Sequence, residues 1–179
     1  MTAKTNDALL SFGKVVALIL QAMCVLAGAA TLLVLAFVVL LSLGMLSGFV
    51  NAGDFELIEA SPLSIVSILI MLAASVAALF FFFGKMRAII KSVGEGDPFI
   101  AENARRLNAM AWLLLGVQVL ALPIGMLRLY LANLISGGGD SLNFSVYDLQ
   151  GPVMIIVLFI LARIFRIGAT MREDLEGTV

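Results

Sequence analysis

Four long apolar segments without charged residues constrain this chain more than any other feature of its sequence. They run from Val15 to Gly53, Ser61 to Gly84, Leu107 to Leu127 and Leu149 to Ala162. A helix needs roughly 20 mainly apolar residues to cross the hydrocarbon core of a bilayer. The first three segments reach this length. The fourth reaches it when its helix continues through Arg163 and Arg166, whose long side chains extend to the headgroups.

The segments predict helices and not the strands of a membrane barrel. Barrel strands alternate polar and apolar residues over about ten positions, whereas residues 34–41 are apolar throughout. The sequence therefore predicts an all-α integral membrane protein, a four-transmembrane-helix bundle that forms a single membrane domain over residues 1–179. The predicted helices span approximately residues 14–48, 61–91, 98–130 and 147–174.

Composition indicates a bilayer as the solvent and argues against several chemistries. Hydrophobic residues make up 62% of the chain and charged residues 13%, against roughly 45–50% and about 25% in soluble domains. The absence of histidine removes the commonest general base and transition-metal ligand, and the single cysteine, Cys24, cannot form an intrachain disulfide. We therefore expect no catalytic residues, no metal and no other cofactor, and a chain that is not an enzyme.

The distribution of basic residues predicts how the chain is oriented. Of the eleven lysines and arginines, all except Arg128 lie near the amino terminus, in the central segment 85–108 or in the carboxyl-terminal tail. The first loop, residues 51–60, contains three acidic residues and no basic one. Basic residues are enriched in cytoplasmic loops, so the amino terminus, the central segment and the carboxyl terminus are predicted to be cytoplasmic.

The central segment carries signals for a helix end followed by a helix start. Gly94-Glu95-Gly96 predicts the end of the second helix, and Asp97-Pro98 predicts an N-cap and a first helical residue for the third. Glu102 precedes Arg105 and Arg106 in the order that favours ion pairs along a helix. This stretch has two interpretations, a basic turn with a capped helix or a docking surface for a cytoplasmic partner.

Two amides, Gln21 and Gln118, are the notable polar groups within the predicted spans. Because a buried amide requires a partner in lipid, the favoured interpretation is contact between helices, and a lining for transport is the alternative. No acidic residue lies deep in a span, whereas proton- or cation-coupled transporters usually place an ionisable group there.

Two motifs resemble those of a known family. The first is Gly96-Asp97-Pro98-Phe99, followed by Glu102-Asn103 and Arg106-Leu107; the second is Phe165-Arg166-Ile167-Gly168, followed by Arg172-Glu173-Asp174-Leu175 and Thr178-Val179. Together they resemble DUF2975, a bacterial family of four-helix membrane proteins with a domain of unknown function. The resemblance covers nearly the whole chain and implies a multi-pass protein of the bacterial inner (plasma) membrane.

The resemblance implies interaction residues and a partner but no catalytic group. The candidate residues for an interaction or structural motif are Asp97, Pro98, Phe99, Asn103, Arg106, Leu107, Arg166, Gly168 and Asp174. Genes of this family often neighbour those of small helix-turn-helix regulators, so such a regulator is a candidate cytoplasmic protein partner. Membrane lipid and a second copy of the chain, in a homo-oligomer, are the other expected partners. Direct nucleic-acid binding is not expected, since the net charge is −1.

The sequence is compatible with three hypotheses for the function. The favoured hypothesis is a non-enzymatic membrane protein with a cytoplasmic interaction or regulatory surface, built from residues 97–107 and 165–179. In that surface Arg105 or Arg106 is predicted to pair with Glu173 or Asp174. The alternative is a small oligomeric transporter or channel, and the third hypothesis is a membrane enzyme.

Overall fold

Four helices follow the four apolar segments of the sequence. The computed structural model describes residues 3–45, 61–136 and 150–176. The helices are α1 (Ala3–Ser42), α2 (Pro62–Gly94), α3 (Ala101–Ser136) and α4 (Gln150–Glu176). Each contains a stretch long and apolar enough to cross a membrane, which confirms the predicted all-helical fold with four candidate spans.

The first helix differs most from its predicted bounds. It begins at Ala3 and not at Lys14, because the polar residues before the apolar segment include no proline that would stop a helix. It ends at Ser42, and the predicted end at Gly48 lies outside the described residues. Gly44, with a φ of 71°, provides the left-handed residue that closes a Schellman turn, in which the Met45 N–H donates to the Leu40 carbonyl over 3.1 Å.

Contacts between the helices follow their order in the chain. α1 packs along α2, α2 along α3 and α3 along α4, and contacts between other pairs of helices are marginal or absent among the described residues. The predicted packing is thus found between successive helices. The first and last helices, α1 and α4, each pack along one neighbour only among the described residues. Residue contacts place successive helices antiparallel, since Gly13 and Gly28 of α1 lie against Ile90 and Val76 of α2. The same order holds for α2 with α3 and for α3 with α4. One end of the bundle thus contains the start of α1, the end of α2, the start of α3 and the end of α4.

Most of the apolar surface of the bundle is exposed. Leu33, Leu63 and Leu122, on three different helices, are 72%, 78% and 69% exposed. Water would not stabilise such a surface, whereas lipid tails solvate it at no cost. A buried cluster joins α3 to α4, and it consists of Leu107, Met110, Ala111, Leu158 and Ala162. Side chains of α2, including Phe82 and Met86, pack against this cluster.

Gln21 and Gln118 each lie over a glycine of a neighbouring helix. The Nε2 atom of Gln21 in α1 is 3.5 Å from the position that a Cβ atom would take on Gly84 of α2. The Gln118 side chain of α3 lies closer still to Gly151 of α4, with its Oε1 atom 2.5 Å from the corresponding position. Glycine has no side chain there, so the amide can approach the neighbouring backbone. This confirms the prediction that Gln118 faces another helix.

Replacing Gln118 with leucine should lower the stability of the protein in detergent by roughly 0.6 kcal/mol, the average for a polar contact between membrane helices. Val119, the next residue, is 56% exposed, and Val119→Leu should leave stability unchanged as the control. Thermal unfolding of the two variants, measured by circular dichroism, tests this prediction. An unchanged or higher unfolding temperature for Gln118→Leu would contradict the assigned contact.

Candidate functional site

The end of the bundle that contains the α2–α3 connection carries every described basic residue except Arg128, and we call it the basic end. Its connection is shaped by a second Schellman turn. Gly96 has a φ of 90°, its N–H donates to the Val93 carbonyl, and the Asp97 N–H donates to the Ser92 carbonyl, both over 3.2 Å. A residue with a Cβ atom is strained at this φ, so glycine at position 96 sets the direction in which the chain leaves α2.

The chain then runs through residues 97–100 without helical structure, and α3 begins at Ala101. The prediction that Asp97 caps α3, with Pro98 as its first residue, is therefore wrong. The Pro98 carbonyl accepts a hydrogen bond from Nδ2 of Asn103 over 2.9 Å. The same carbonyl would accept the Glu102 N–H in a helix that began at Pro98. The Asn103 side chain thus favours the extended connection and the later start of α3.

Asn103 is the centre of the polar contacts between α2 and α3. Its side chain is fully buried, with a residue exposure of 0%. Besides the bond to Pro98, Nδ2 donates to Oγ of Ser92 in the last turn of α2 over 2.7 Å. Oδ1 accepts from a guanidinium N–H of Arg106 over 2.9 Å. Both ends of the buried amide are therefore satisfied, and it links the end of α2, the connection and the start of α3.

Arg106 extends this network and also contacts the helix before it. Its guanidinium donates to the Ala88 carbonyl of α2 over 3.4 Å, and it lies 3.6 Å from Oε1 of Glu102. Glu102 pairs more closely with Arg105, at 2.6 Å, which confirms the predicted ion pairs along α3. The predicted pairing of Arg105 or Arg106 with Glu173 or Asp174 is wrong, because both arginines are instead held at Glu102 by its position one turn earlier on α3.

A different ion pair joins the connection to α4. The Arg172 guanidinium lies 2.6 Å from Oδ1 of Asp97, across 75 residues of sequence. Both side chains are about half exposed, so the pair orients the two segments and contributes at most about 1 kcal/mol. The carboxylate that was predicted to cap a helix thus holds the end of α4 against the connection.

An aromatic contact lies beside this ion pair. The ring of Phe99 is 5.1 Å from that of Phe165, with an angle of 40° between the planes. The same ring covers Gly168, where an added Cβ atom would lie only 2.8 Å from Cδ1 of Phe99. The Phe99 ring can lie this close to α4 because residue 168 is a glycine and has no Cβ atom. We call the set Asp97, Phe99, Asn103, Phe165, Gly168 and Arg172 the joint, since it fastens α2, α3 and α4 together.

The structure brings most of the predicted candidate residues into this region, in different roles. Asp97, Phe99, Asn103 and Gly168 are members of the joint. Pro98 provides a carbonyl, Arg106 bonds to Asn103, and Leu107 is 5% exposed within the buried cluster. Arg166 and Asp174 have exposed side chains.

Sequence reasoning did not single out Ser92, Phe165 or Arg172 as functional residues. Phe165 and Arg172 belong to the motifs that carry the resemblance, so a signal was present for these two. Ser92 has no such signal, since a hydroxyl in the last turn of a helix is ordinary. Only the fold shows that its Oγ atom accepts the Asn103 amide.

A small cleft opens between the connection and α4, with a volume of about 210 Å³. Its lining combines acidic, basic and apolar side chains, namely Asp97, Phe99, Ile100, Ala101, Ala169, Arg172 and Glu173. Met171 and Leu175, one turn apart on α4, are 62% and 71% exposed. Among the described residues no group of three or more histidine, cysteine, aspartate or glutamate side chains is placed to hold a metal ion. The cleft and the exposed side chains of α4 provide charged groups of both signs and apolar surface with which a ligand could make contact.

The fold defines a multi-pass α-helical membrane protein. The chain belongs to the family described as "Protein of unknown function (DUF2975)", whose model matches residues 51–179. This match confirms the resemblance drawn from the two motifs, and it covers α2, α3 and α4 together with the joint. Neither a curated protein nor a solved structure matches the chain significantly.

Proposed function

We propose that this protein resides in the bacterial inner membrane and binds a soluble cytoplasmic protein through its basic end, without catalysing a reaction itself. The observation that carries the proposal is the joint. It fixes three helix ends by buried hydrogen bonds, an aromatic contact and an ion pair. A rigid surface of this kind binds a partner without first having to become ordered.

The charge of the basic end supports its placement in the cytoplasm. All described basic residues except Arg128 lie at this end of the helices. Basic residues are enriched on the cytoplasmic side of a membrane. Both chain termini then lie in the cytoplasm as well. The surface around the cleft is thereby available to soluble proteins of the cell interior.

Exposed apolar groups beside the cleft support a protein as the ligand. Phe99 is 44% exposed although it belongs to the joint, and Met171 and Leu175 extend the apolar surface along α4. Aromatic and methionine side chains are enriched where proteins bind one another. Glu173 and Arg172 at the rim of the cleft provide charges of both signs for orientation. The helix-turn-helix regulator implied by the family resemblance is the first candidate for this partner.

A small oligomeric transporter or channel is the second candidate function. Gln21 favours it, because this amide lines two adjoining cavities between the helices. Against it, the apolar segments contain no acidic or basic side chain, so a charged solute would cross without a counter-charge.

The partner is tested by changing the exposed surface while leaving the joint intact. In the double variant Met171→Ser, Leu175→Ser, crosslinking in native membranes followed by purification should recover the partner at background level. The control, Leu63→Ser with Leu134→Ser, changes two exposed leucines near the opposite end and should retain it. Arg106 is unsuited to this test, because it bonds to the buried Asn103.

The recovered protein must be identified by mass spectrometry and must bind again when both proteins are purified. Equal recovery from the two double variants would contradict a docking surface at the basic end. Failure to recover any partner, together with solute movement across liposomes that contain the purified protein, would favour the transporter.

A further inference from the structure

A cavity of about 540 Å³ lies between α1 and α2 at the basic end. Its volume is within the range of ligand pockets, about 300–1,000 Å³. The lining consists of Lys14, Gln21, Gly84, Arg87, Ala88 and Lys91. Three of these side chains are cationic and none is acidic. The small residues Gly84 and Ala88 leave the space open between the two helices.

The three cations are close together and largely uncompensated. Lys91 lies 3.7 Å from Glu95, but both side chains are mostly exposed, at 71% and 63%, so this pair is weak. Within the described residues no salt bridge holds Lys14 or Arg87. Positive charges gathered around one concavity repel each other and favour a bound anion.

The cavity lies at the level where a bilayer changes from headgroups to hydrocarbon. The charge-free part of α1 begins at Val15, directly after Lys14, and the charge-free part of α2 ends at Gly84. Gln21, about 10 Å further along α1 at the helical rise per residue, lines the cavity within the apolar zone. Its amide offers a hydrogen-bond donor where water is scarce.

A second, smaller cavity has both aromatic and charged side chains in its lining. A smaller adjoining cavity of about 230 Å³ shares the lining residues Gln21, Gly84 and Ala88. It is also lined by the rings of Phe80 and Phe81, the latter 59% exposed, and by the charged side chains of Lys85, Glu102 and Arg106. A ligand that extends from the basic pocket toward the membrane interior would contact the Phe80 and Phe81 rings.

We propose that this cavity binds the phosphate group of an anionic phospholipid. Lysine and arginine both bind phosphate by charge-assisted hydrogen bonds, and basic pockets between helices on the cytoplasmic side suit lipid headgroups. The location at the bilayer boundary and the Phe80 and Phe81 rings of the adjoining cavity indicate a lipid as the source of the phosphate, in preference to a free ion. The cavity shares no lining residue with the joint or the cleft, so the proposal does not depend on the proposed protein partner.

Thermal unfolding in a nonionic detergent tests the site directly. Phosphatidylglycerol should raise the unfolding temperature of the unaltered protein more than phosphatidylcholine does. In the triple variant Lys14→Gln, Arg87→Gln, Lys91→Gln, the phosphatidylglycerol concentration for half of the effect should rise roughly tenfold or more. The control removes three exposed cations of the same end, by Arg105→Gln, Arg163→Gln and Arg166→Gln, and should respond as the unaltered protein does.

Further measurements distinguish this cavity from other basic sites, and a lipid from free phosphate. The single variant Arg87→Glu, at an exposed position, provides a second measurement should the triple variant fail to fold, and it should also weaken the response to phosphatidylglycerol. An equal loss in the control would overturn the assignment to this cavity and indicate a general charge effect. Equal stabilisation by inorganic phosphate alone would overturn the assignment to a lipid.

Discussion

Replacing Asn103 with leucine should lower the free energy of unfolding by roughly 2–3 kcal/mol, because buried polar partners lose their hydrogen bonds. Ser92 Oγ and the Pro98 carbonyl would lose the donor that now reaches them, and Arg106 would lose an acceptor. Leucine has a similar size, so the loss reports on the hydrogen bonds more than on an empty space. Few other single changes remove contacts from α2, the connection and α3 at once.

Asn108→Leu is the matched control for this prediction. Asn108 lies on the same helix, five residues later, and is only partly buried, so its replacement should change stability by less than about 0.5 kcal/mol. Unfolding by sodium dodecyl sulfate in mixed micelles, followed by circular dichroism, measures both variants. Equal stability of the Asn103 and Asn108 variants would show that the buried network does not hold the helix ends.

Alanine at Gly168 should destabilise the contact between the α2–α3 connection and α4, by about 1–3 kcal/mol as for other overpacked sites. The added methyl group would lie 2.8 Å from Cδ1 and 3.3 Å from Cε1 of Phe99. The ring cannot move away freely, since it also packs against Phe165. Replacing glycine with alanine usually favours a helix, but at position 168 it should be unfavourable.

Gly116→Ala is the control, because an added Cβ atom on that glycine of α3 meets nothing within 4 Å. Alanine there should be neutral or stabilise the helix by roughly 0.5–1 kcal/mol. Fluorescence of Trp112 reports on the separation of α3 from α4, since the Trp112 ring lies 5.7 Å from that of Phe159 on α4. In a Phe99→Ala background the penalty of Gly168→Ala should largely disappear. An unchanged penalty in that background would contradict the assigned clash.

The spans could be predicted from the sequence because one physical requirement dominates them. A charge-free apolar stretch of sufficient length has no stable place except lipid, and in lipid it must be helical. The ends of the helices follow other rules. Ala3–Gly13 extends α1 ahead of the charge-free apolar segment, and the start of α3 at Ala101 depends on a side chain that bonds to the Pro98 carbonyl.

The candidate site was predictable as a list of residues but not as an arrangement. The motifs placed Asp97, Phe99 and Gly168 among the candidates, yet nothing in their spacing indicates that Phe99 covers Gly168. Charge alone allowed several ion pairs between the two motifs. Arg105 and Arg106 are engaged by Glu102 within their own helix, so the pair across the helices forms between Asp97 and Arg172.

We expect the basic end, with its joint, to face the cytoplasm, and thiol labelling on intact cells tests this orientation most directly. In a Cys24→Ala background, single cysteines are placed at Gly94, at the end of α2, and at Gly138, between α3 and α4. Gly94 is exposed, and an added Cβ atom there meets Lys14 only at the ordinary contact distance of 3.5 Å, so the substitution should be tolerated.

A membrane-impermeant thiol reagent should label position 138 in intact cells and spare position 94, and both positions should react once the membrane is permeabilised. The second condition is the control for reactivity. Labelling of position 94 with protection of position 138 in intact cells would place the joint outside the cell and contradict its role in binding a cytoplasmic protein.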